Sequence, residues 1–231
     1  MKKLFFLLFF FFLCISIADA QELMKQRDRI FNYGIKAGLN SLLLDVESIE
    51  LSGYDLDNVQ PINNVGYSFE LLGIINIKRF FIQPSIVWKY SQGDIQFDLL
   101  QPPLVGAYDP RITAGLLNVE IKSLEVPVML GYNLIKEKPY VLSVMSGTKF
   151  KYNYDISYSN MWNMENDDNY YLSLYSAVEV IIGRLTFDFG YEHGLNKMRS
   201  TFDYMPNSSD CKPMRLKNRL DGLNMSIGIL F

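Results

Sequence analysis

The sequence predicts an all-β chain that closes into an eight-stranded antiparallel up-and-down transmembrane β-barrel. Three observations carry that expectation. Leu223, Met225, Ile227, Ile229 and Phe231 alternate with Asn224, Ser226 and Gly228, the two-residue period of a strand, and a last-residue aromatic on such a strand is expected of a bacterial outer-membrane barrel. The opposite end reads as an export signal. Between the ends, strand-period runs are joined by connections that are alternately long and short, as in a barrel with loops at one rim and tight turns at the other.

The export signal is read from Lys2 and Lys3, an apolar run over residues 4–17, and Ala18-Asp19-Ala20, a charged n-region, an h-region and an Ala-x-Ala cleavage site. The expected division is a signal peptide over 1–20 and a barrel domain over 21–231. The apolar run is too short and wrongly flanked for a transmembrane helix, and no later run is long enough to span as one. In lipid only helices and closed barrels satisfy their backbone groups, so if this chain is a membrane protein it must span as a closed barrel.

Eight runs read as strands: 33–42, 64–77, 80–92, 118–133, 139–155, 169–182, 185–194 and 219–231. On the first, Tyr33, Ile35, Ala37 and Leu39 share one face and Gly34, Lys36, Gly38 and Asn40 the other. The second carries Glu70 among the polar positions and meets the third through Lys78-Arg79. On the third, Phe80, Ile82, Pro84, Ile86, Trp88 and Tyr90 oppose Gln83, Ser85, Lys89 and Ser91. The fourth contributes Glu125 to the polar face. On the fifth, Tyr140, Leu142, Val144, Phe150, Tyr152 and Tyr154 oppose Ser143, Gly147, Lys149, Lys151 and Asn153. The sixth carries Glu179 and turns through Gly183-Arg184 into the seventh, where Leu185, Phe187, Phe189 and Tyr191 oppose Thr186, Asp188, Gly190 and Glu192. The eighth ends at Phe231 and closes on the first. Residues 43–63, 93–117, 156–168 and 195–218 are expected as long loops at one rim, and an even strand number returns both termini to the periplasm.

Alternation alone does not say which face is inside, because a soluble lipocalin-like barrel has the same period. The apolar face is assigned outward for three reasons. The polar face mixes both charge signs with Gly and Ser. Tyr33, Phe80, Tyr90, Tyr132, Tyr140, Tyr154, Tyr170, Tyr191 and Phe231 fall near strand ends, as in aromatic girdles, and the chain stops on the strand. Pro84 and Pro127 sit inside strands of a sheet without edges, so a bulge or bend is expected near each.

Lys+Arg number 22 and Asp+Glu 25, for a net charge of −3, and no basic block points to nucleic acid. Cys14 belongs to the signal, without a lipobox, and Cys211 is then alone, so no internal disulfide is expected. One histidine and one cysteine exclude an ordinary transition-metal site, and no cofactor is expected. Residues 165–169, Glu-Asn-Asp-Asp-Asn, are rich in oxygen ligands but lack calcium-loop spacing and read as a solvated loop. His193 lies near the loop rim. An imidazole there would serve as base to a hydroxyl nucleophile, and Ser200 is the nearest hydroxyl in sequence; the plain reading is a histidine at headgroup level. Eight strands leave a lumen just wide enough to fill with side chains. Glu70, Glu125, Glu179, Asp188 and Glu192 are therefore expected to pair there with Lys36, Lys89, Lys149 and Lys151, plugging the barrel. Leu99-Leu100, Leu104-Val105 and Met205-Pro206 are apolar groups in the expected loops, exposed unless they pack on one another or on a partner.

Several segments resemble the small β-barrel proteins of Bacteroidota outer membranes, the PorT-like or "porin family" proteins. The matching pieces are Tyr33-Gly34-Ile35-Lys36-Ala37-Gly38-Leu39-Asn40, Gln83-Pro84 through Tyr90-Ser91-Gln92-Gly93, Leu124-Glu125-Val126-Pro127 and Phe189-Gly190-Tyr191. The fifth strand departs, with Met145-Ser146-Gly147 where a Gly-Pro pair is common. The resemblance implies an outer-membrane place, family status for both strand prolines, and, for some members, a part in type IX secretion and gliding. The first expectation is a non-enzymatic structural or assembly protein. Its partners are outer-membrane lipid, the barrel-assembly machinery that would read the row from Leu223 to Phe231, and secretion-complex proteins met through the long loops. A lipid A-modifying enzyme and a small-solute channel are the alternatives.

Overall fold

The structure, a computed structural model of the 231-residue chain, describes residues 30–51, 54–56, 58–101, 111–137, 139–159, 161–166, 169–204 and 212–231. The expected signal peptide, Cys211, Asp167-Asp168, Leu104-Val105 and Met205-Pro206 lie outside the described residues.

The described residues form β1 (Phe31–Leu51), β2 (Tyr54–Asp55), β3 (Gln60–Asn63), β4 (Val65–Ile77), β5 (Phe80–Gln101), β6 (Arg111–Glu137), β7 (Tyr140–Tyr158), β8 (Met161–Asn166), β9 (Tyr170–Ile182), β10 (Leu185–Gly194), β11 (Lys197–Tyr204) and β12 (Lys212–Leu230). Strands β1, β4, β5, β6, β7, β9, β10 and β12 pair antiparallel in that order, and β12 pairs back onto β1. The fold is a closed, eight-stranded up-and-down barrel. The short strands prolong its staves. β3 continues β4 along β5, β11 continues β10 along β12, and β8 meets β11 as β9 meets β10.

The stagger of this ring can be followed residue by residue. Stepping from partner to partner, Phe80 leads through Tyr132, Val144, Val178, Phe189, Met225, Leu39 and Tyr67 back to β5 at Tyr90, ten residues from the start. Such a stagger tilts eight strands by roughly 35–45° and leaves an interior that side chains can fill. Two of the tight turns use left-handed backbone, Gly183 at φ 64° and Lys78 at φ 58°.

The prolines interrupt pairing without a bulge. Pro84 faces outward and Pro127 inward. Pairing lapses between Leu72–Ser85 and Ile75–Ile82, and between Pro84–Val128 and Val87–Glu125, then resumes in unchanged register. A gap costs a few hydrogen bonds, whereas a one-residue shift would turn every later side chain to the wrong face. Register shifts lie elsewhere, at Val46/Ser48, Lys122/Ser123, Asn133/Ile135 and Thr201/Asp203.

The expected long loops are mostly strand. β1 runs nine residues past position 42, to Leu51, β5 continues to Gln101, β6 starts at Arg111, and β11 and the first part of β12 occupy 197–204 and 212–218. Leu99 and Leu100 lie in β5, across from Thr113 and Ile112. The reason for the misreading is a change of chemistry at constant geometry. Along β5 the outward residues Phe80, Ile82, Ile86, Trp88 and Tyr90 give way to Gln92, Asp94, Gln96 and Asp98. The inward residues change the other way, from Gln83, Ser85, Lys89 and Ser91 to Ile95 and Phe97. β1, β6 and β12 do the same. Asp45, Glu120, Lys122, Arg215, Lys217 and Arg219 face out while Leu42, Leu44, Leu117, Val119, Met214 and Leu216 are buried inside.

Two aromatic girdles mark the boundaries of the apolar outer band. At the turn end Tyr33 stacks on Phe231, with centroids 5.7 Å apart, and Phe80 packs on Tyr132 at 4.9 Å. At the other boundary Tyr67 packs on Tyr90 and Tyr152 on Tyr170, both at 5.1 Å. Below the second girdle the barrel is a membrane span with a charged layer in its lumen. Above it, the same staves enclose an apolar core and present a polar wall to water.

Candidate functional site

The interior of the membrane half holds the charged residues picked out by parity. Strand alternation aims them inward, and the stagger of the ring brings side chains from non-neighbouring strands together. They form two groups. In one, Lys36 Nζ of β1 lies 3.0 Å from Glu179 Oε1 of β9 and 2.7 Å from Asp188 Oδ2 of β10, which also accepts a 2.6 Å hydrogen bond from Ser226 Oγ. In the other, three lysines surround two glutamates. Lys89 Nζ is 3.7 Å from Glu125 and 3.1 Å from Glu192; Lys149 Nζ is 3.6 and 3.3 Å from the same pair. Lys151 is 3.6 Å from Glu125 and in direct contact with Glu192. Ser123 and Ser173 donate to Glu125 and Glu192, at 3.3 and 3.1 Å, and Lys149 sits 3.8 Å above the centre of the Tyr175 ring.

Glu70 takes no part in these pairs. It stands directly across from Lys36 on β4, but Lys36 reaches over the lumen to Glu179 and Asp188 instead. Glu70 lines a small cavity of about 30 Å³ with Gln83, Lys89, Glu125, Lys149 and Tyr175. That is room for one or two water molecules. Gln83 Oε1 and Glu125 Oε2, both buried on this cavity, have no hydrogen-bond partner in the protein, so water there has groups to serve.

The charged layer is closed above and below. Toward the turn end Leu72, Ile74, Phe81, Met129, Val141, Met145, Ile181 and Leu230 form one buried apolar cluster. Toward the far end Leu42, Ile95, Phe97, Leu117, Val119, Phe202, Met214, Leu216 and neighbours form another. Tyr158 ties the second cluster across the lumen: its ring packs on Phe202 at 5.1 Å and its hydroxyl lies 3.0 Å from Ser200 Oγ. Apolar, charged and apolar layers thus fill the barrel in succession. Neither apolar layer was expected from the sequence; the signal of the second was the reversed alternation of Gly93-Asp94-Ile95-Gln96-Phe97-Asp98.

His193 sits at the boundary between the two halves. Its Nδ1 is 3.1 Å from Asp221 Oδ2, which also accepts from Tyr191 Oη at 2.7 Å, while Asp221 Oδ1 accepts from Gly194 N at 2.9 Å. Asp221 therefore closes the irregular step where β10 passes into β11. Ser200 faces the interior beside Tyr158 and does not meet His193. Glu165 and Asn166 are in β8, paired with Thr201 and Ser200. No group of three or more His, Cys, Asp or Glu among the described residues is arranged to hold a metal ion.

The row Leu223, Met225, Ile227, Ile229 and Phe231 faces outward along β12, between the lipid-facing sides of β10 and β1. Phe231 N donates to Tyr33 O at 2.7 Å.

A closed ring with an apolar, aromatic-bounded outer band and a filled lumen defines an integral β-barrel of the bacterial outer membrane. The chain matches the outer membrane protein beta-barrel domain family over residues 19–200 and belongs to that family. Among solved structures it is similar to the outer membrane protein OprG from Pseudomonas aeruginosa, at 12% identity and a TM-score of 0.54, covering 87% of this chain and 95% of that one. It is also similar to the outer membrane protein AlkL, determined in lipid bilayers, at 10% identity and a TM-score of 0.50, covering 87% of this chain and 90% of that one. At such identities the likeness shows the fold alone. No curated protein matches the chain.

Proposed function

We propose that this protein is a non-enzymatic, non-conducting outer-membrane scaffold that holds a rigid body above the membrane for assembly with partner proteins. One observation carries the reading: the lumen is filled by three successive layers, while the staves continue beyond the membrane as a second packed body. The charged layer holds a cavity of only about 30 Å³, and its pairs hold one another. Binding residues usually ride on the outer ends of such rigid frames. Membership of the PorT-like group of Bacteroidota, and a role in type IX secretion or gliding, are the finer form of this proposal and rest on the sequence motifs. Export by cleavage after Ala20, and recognition of the Leu223–Phe231 row by barrel-assembly machinery, belong to it too.

Proximity labelling from the outer rim in the native membrane tests the scaffold reading. Secretion or gliding components should dominate the labelled set; a set no different from that of an unrelated barrel would end it. Planar bilayers test the filled lumen, where steady single-channel conductance would favour a small-solute channel instead. Unchanged lipid A composition on deletion of the protein is expected, and a changed composition would favour the enzyme.

A further inference from the structure

The water-facing wall of the outer half is not uniform in charge. Over β5, β6 and β7 it carries Asp94, Asp98, Glu120 and Asp155 with Lys122. Over β11 and β12 the sign reverses. The outward residues at 197–201 and 215–219 are Lys197, Arg199, Arg215, Lys217 and Arg219, with Thr201 as the exception. Their register sets like charges face to face: Lys197 stands across from Arg219 and Arg199 across from Lys217, while Thr201 stands across from Arg215. Like charges directly opposite on neighbouring strands destabilise a sheet, so this strip calls for an anion.

The chain supplies only part of it. Glu47 on β1 joins Lys197 at 2.5 Å and Lys217 at 2.9 Å, and Asp45 joins Arg219. Arg199 and Arg215 are in no ion pair among the described residues. Glu50 stands across from Arg215 on β1 and Asp203 lies further along β11, but neither forms an ion pair with the two arginines. Glu165 of β8 stands across from Thr201, on the far flank. Arg199 and Arg215 are diagonal neighbours, about 7–8 Å apart at the backbone, with Lys217 and the Thr201 hydroxyl completing the square. Two guanidinium forks, an ammonium and a hydroxyl around one point form a receptor for a phosphate or carboxylate group.

Height and strength narrow the occupant. Leu223 is the last lipid-facing residue of β12 and lies across from Tyr191 of the girdle. A strand tilted by about 40° climbs about 2.5 Å per residue, which puts Arg219, Lys217 and Arg215 roughly 10, 15 and 20 Å beyond the hydrocarbon. The headgroup layer of a phospholipid leaflet is only about 5–8 Å deep, too shallow to reach Arg199 and Arg215. An exposed ion pair is worth at most about five-fold in affinity. That grip is weak for a dilute soluble anion. It suffices for an anion whose acyl chains hold it beside the barrel, at an effective concentration on the order of millimolar. We propose that the face formed by Arg199, Thr201, Arg215 and Lys217 binds the anionic saccharide of a glycolipid in the surrounding outer leaflet. The acyl chains lie against the apolar band below, and Lys197 and Arg219 occupy the height between. The acidic wall over β5 and β6 repels the same saccharide, so the glycolipid is held on one side of the barrel. The scaffold reading does not depend on this contact and stands or falls separately.

The test is retention of lipopolysaccharide with a phosphorylated core by the full barrel in vesicles of dimyristoyl phosphatidylcholine. Native mass spectrometry counts the glycolipid kept per barrel as its fraction in the vesicle is varied, and heat-dependent gel mobility confirms that each variant is folded. Wild type should retain the core-bearing glycolipid, less so as salt is raised. Arg199→Gln with Arg215→Gln should weaken retention about ten-fold, whereas Lys122→Gln on the acidic wall should leave it unchanged. Lipid A without core should be held more weakly and equally by wild type and the double variant. The proposal is overturned if the double variant retains the core-bearing glycolipid like wild type. Equal retention of phosphatidylglycerol would assign the strip to anionic lipid in general, and equal capture of the free core oligosaccharide would show that no anchor is needed; either overturns it too.

Discussion

The two halves of this barrel share eight staves and one inward–outward alternation, and the charged layer of one and the core of the other are of opposite chemistry. In the membrane half Lys36, Lys89, Glu125 and Glu192 are inside and Ile86, Trp88 and Ile227 outside. In the outer half Phe97, Leu117 and Leu216 are inside and Asp94, Glu120 and Lys217 outside. The backbone does not record the change; only the solvent around it does. What counts as a core residue is therefore set by height along the strand, and identical substitutions should have opposite consequences in the two halves.

The largest effects are expected from breaking either interior. Glu192→Ala leaves Lys89, Lys149 and Lys151 with Glu125 as their only counter-charge in the cluster. Removing one partner of a buried ionic group costs about 3–5 kcal/mol. Phe202→Ala in the outer half should cost a similar ~3–5 kcal/mol, through a cavity. Guanidinium unfolding in vesicles, followed by tryptophan fluorescence, measures both. If the halves unfold as separate units, Phe202→Ala will shift only the outer transition, and a single shared transition would show that they are coupled.

The outward face sharpens the comparison next. Ile227→Lys places a cation against the middle of the bilayer and should cost about 2–4 kcal/mol. Arg215→Ile makes the reverse exchange on the same strand, in the outer half, and should stay within about 0.5 kcal/mol. Equal costs at the two sites would place the membrane boundary elsewhere. Tyr158→Phe is smaller in kind, since it removes one buried hydroxyl contact with Ser200, about 0.5–1.5 kcal/mol.

The smallest effect is a pH dependence confined to the outer wall. Glu47 lies 2.5 Å from Lys197 and 2.9 Å from Lys217. Hydrogen bonds from these two lysines hold its carboxyl down at about 2. A carboxyl lowered on folding stabilises the fold above its ordinary value of 4.5 and loses that contribution as pH falls toward 2. The unfolding midpoint of wild type should decline over that window more than that of Glu47→Gln. Parallel curves for the two proteins would remove the pair from the account.

The sequence made the membrane half legible and hid the outer half for the same reason. Strand parity is geometric, so Tyr33, Lys36, Trp88, Lys89, Phe189 and Glu192 could be assigned to faces before any fold was known. An apolar-outward rule, though, reads Gly93-Asp94-Ile95-Gln96-Phe97-Asp98 as the end of a strand, although its alternation is unbroken. The expected strands stop at 42, 92 and 155, or begin at 118 and 219, close to where the phase reverses. Glu70 shows another limit. Parity puts it in the lumen, but only the reach of Lys36 across to β9 and β10 leaves it without an ion pair among the described residues. The placing of Arg199 beside Lys217 and Arg215 depends on the register between β11 and β12, which local pattern does not fix.

The reversed phase also bears on how the protein reaches its place. A barrel assembled from the periplasmic side must carry its outer half through the membrane first. On the way Asp94, Asp98, Glu120, Lys122, Arg199, Arg215, Lys217 and Arg219 confront hydrocarbon on the very face that later meets water. Each charge at the bilayer centre costs about 2–4 kcal/mol, so the outer half opposes its own passage through hydrocarbon. The exterior that suits the outer half to water once it is delivered is thus what resists its delivery.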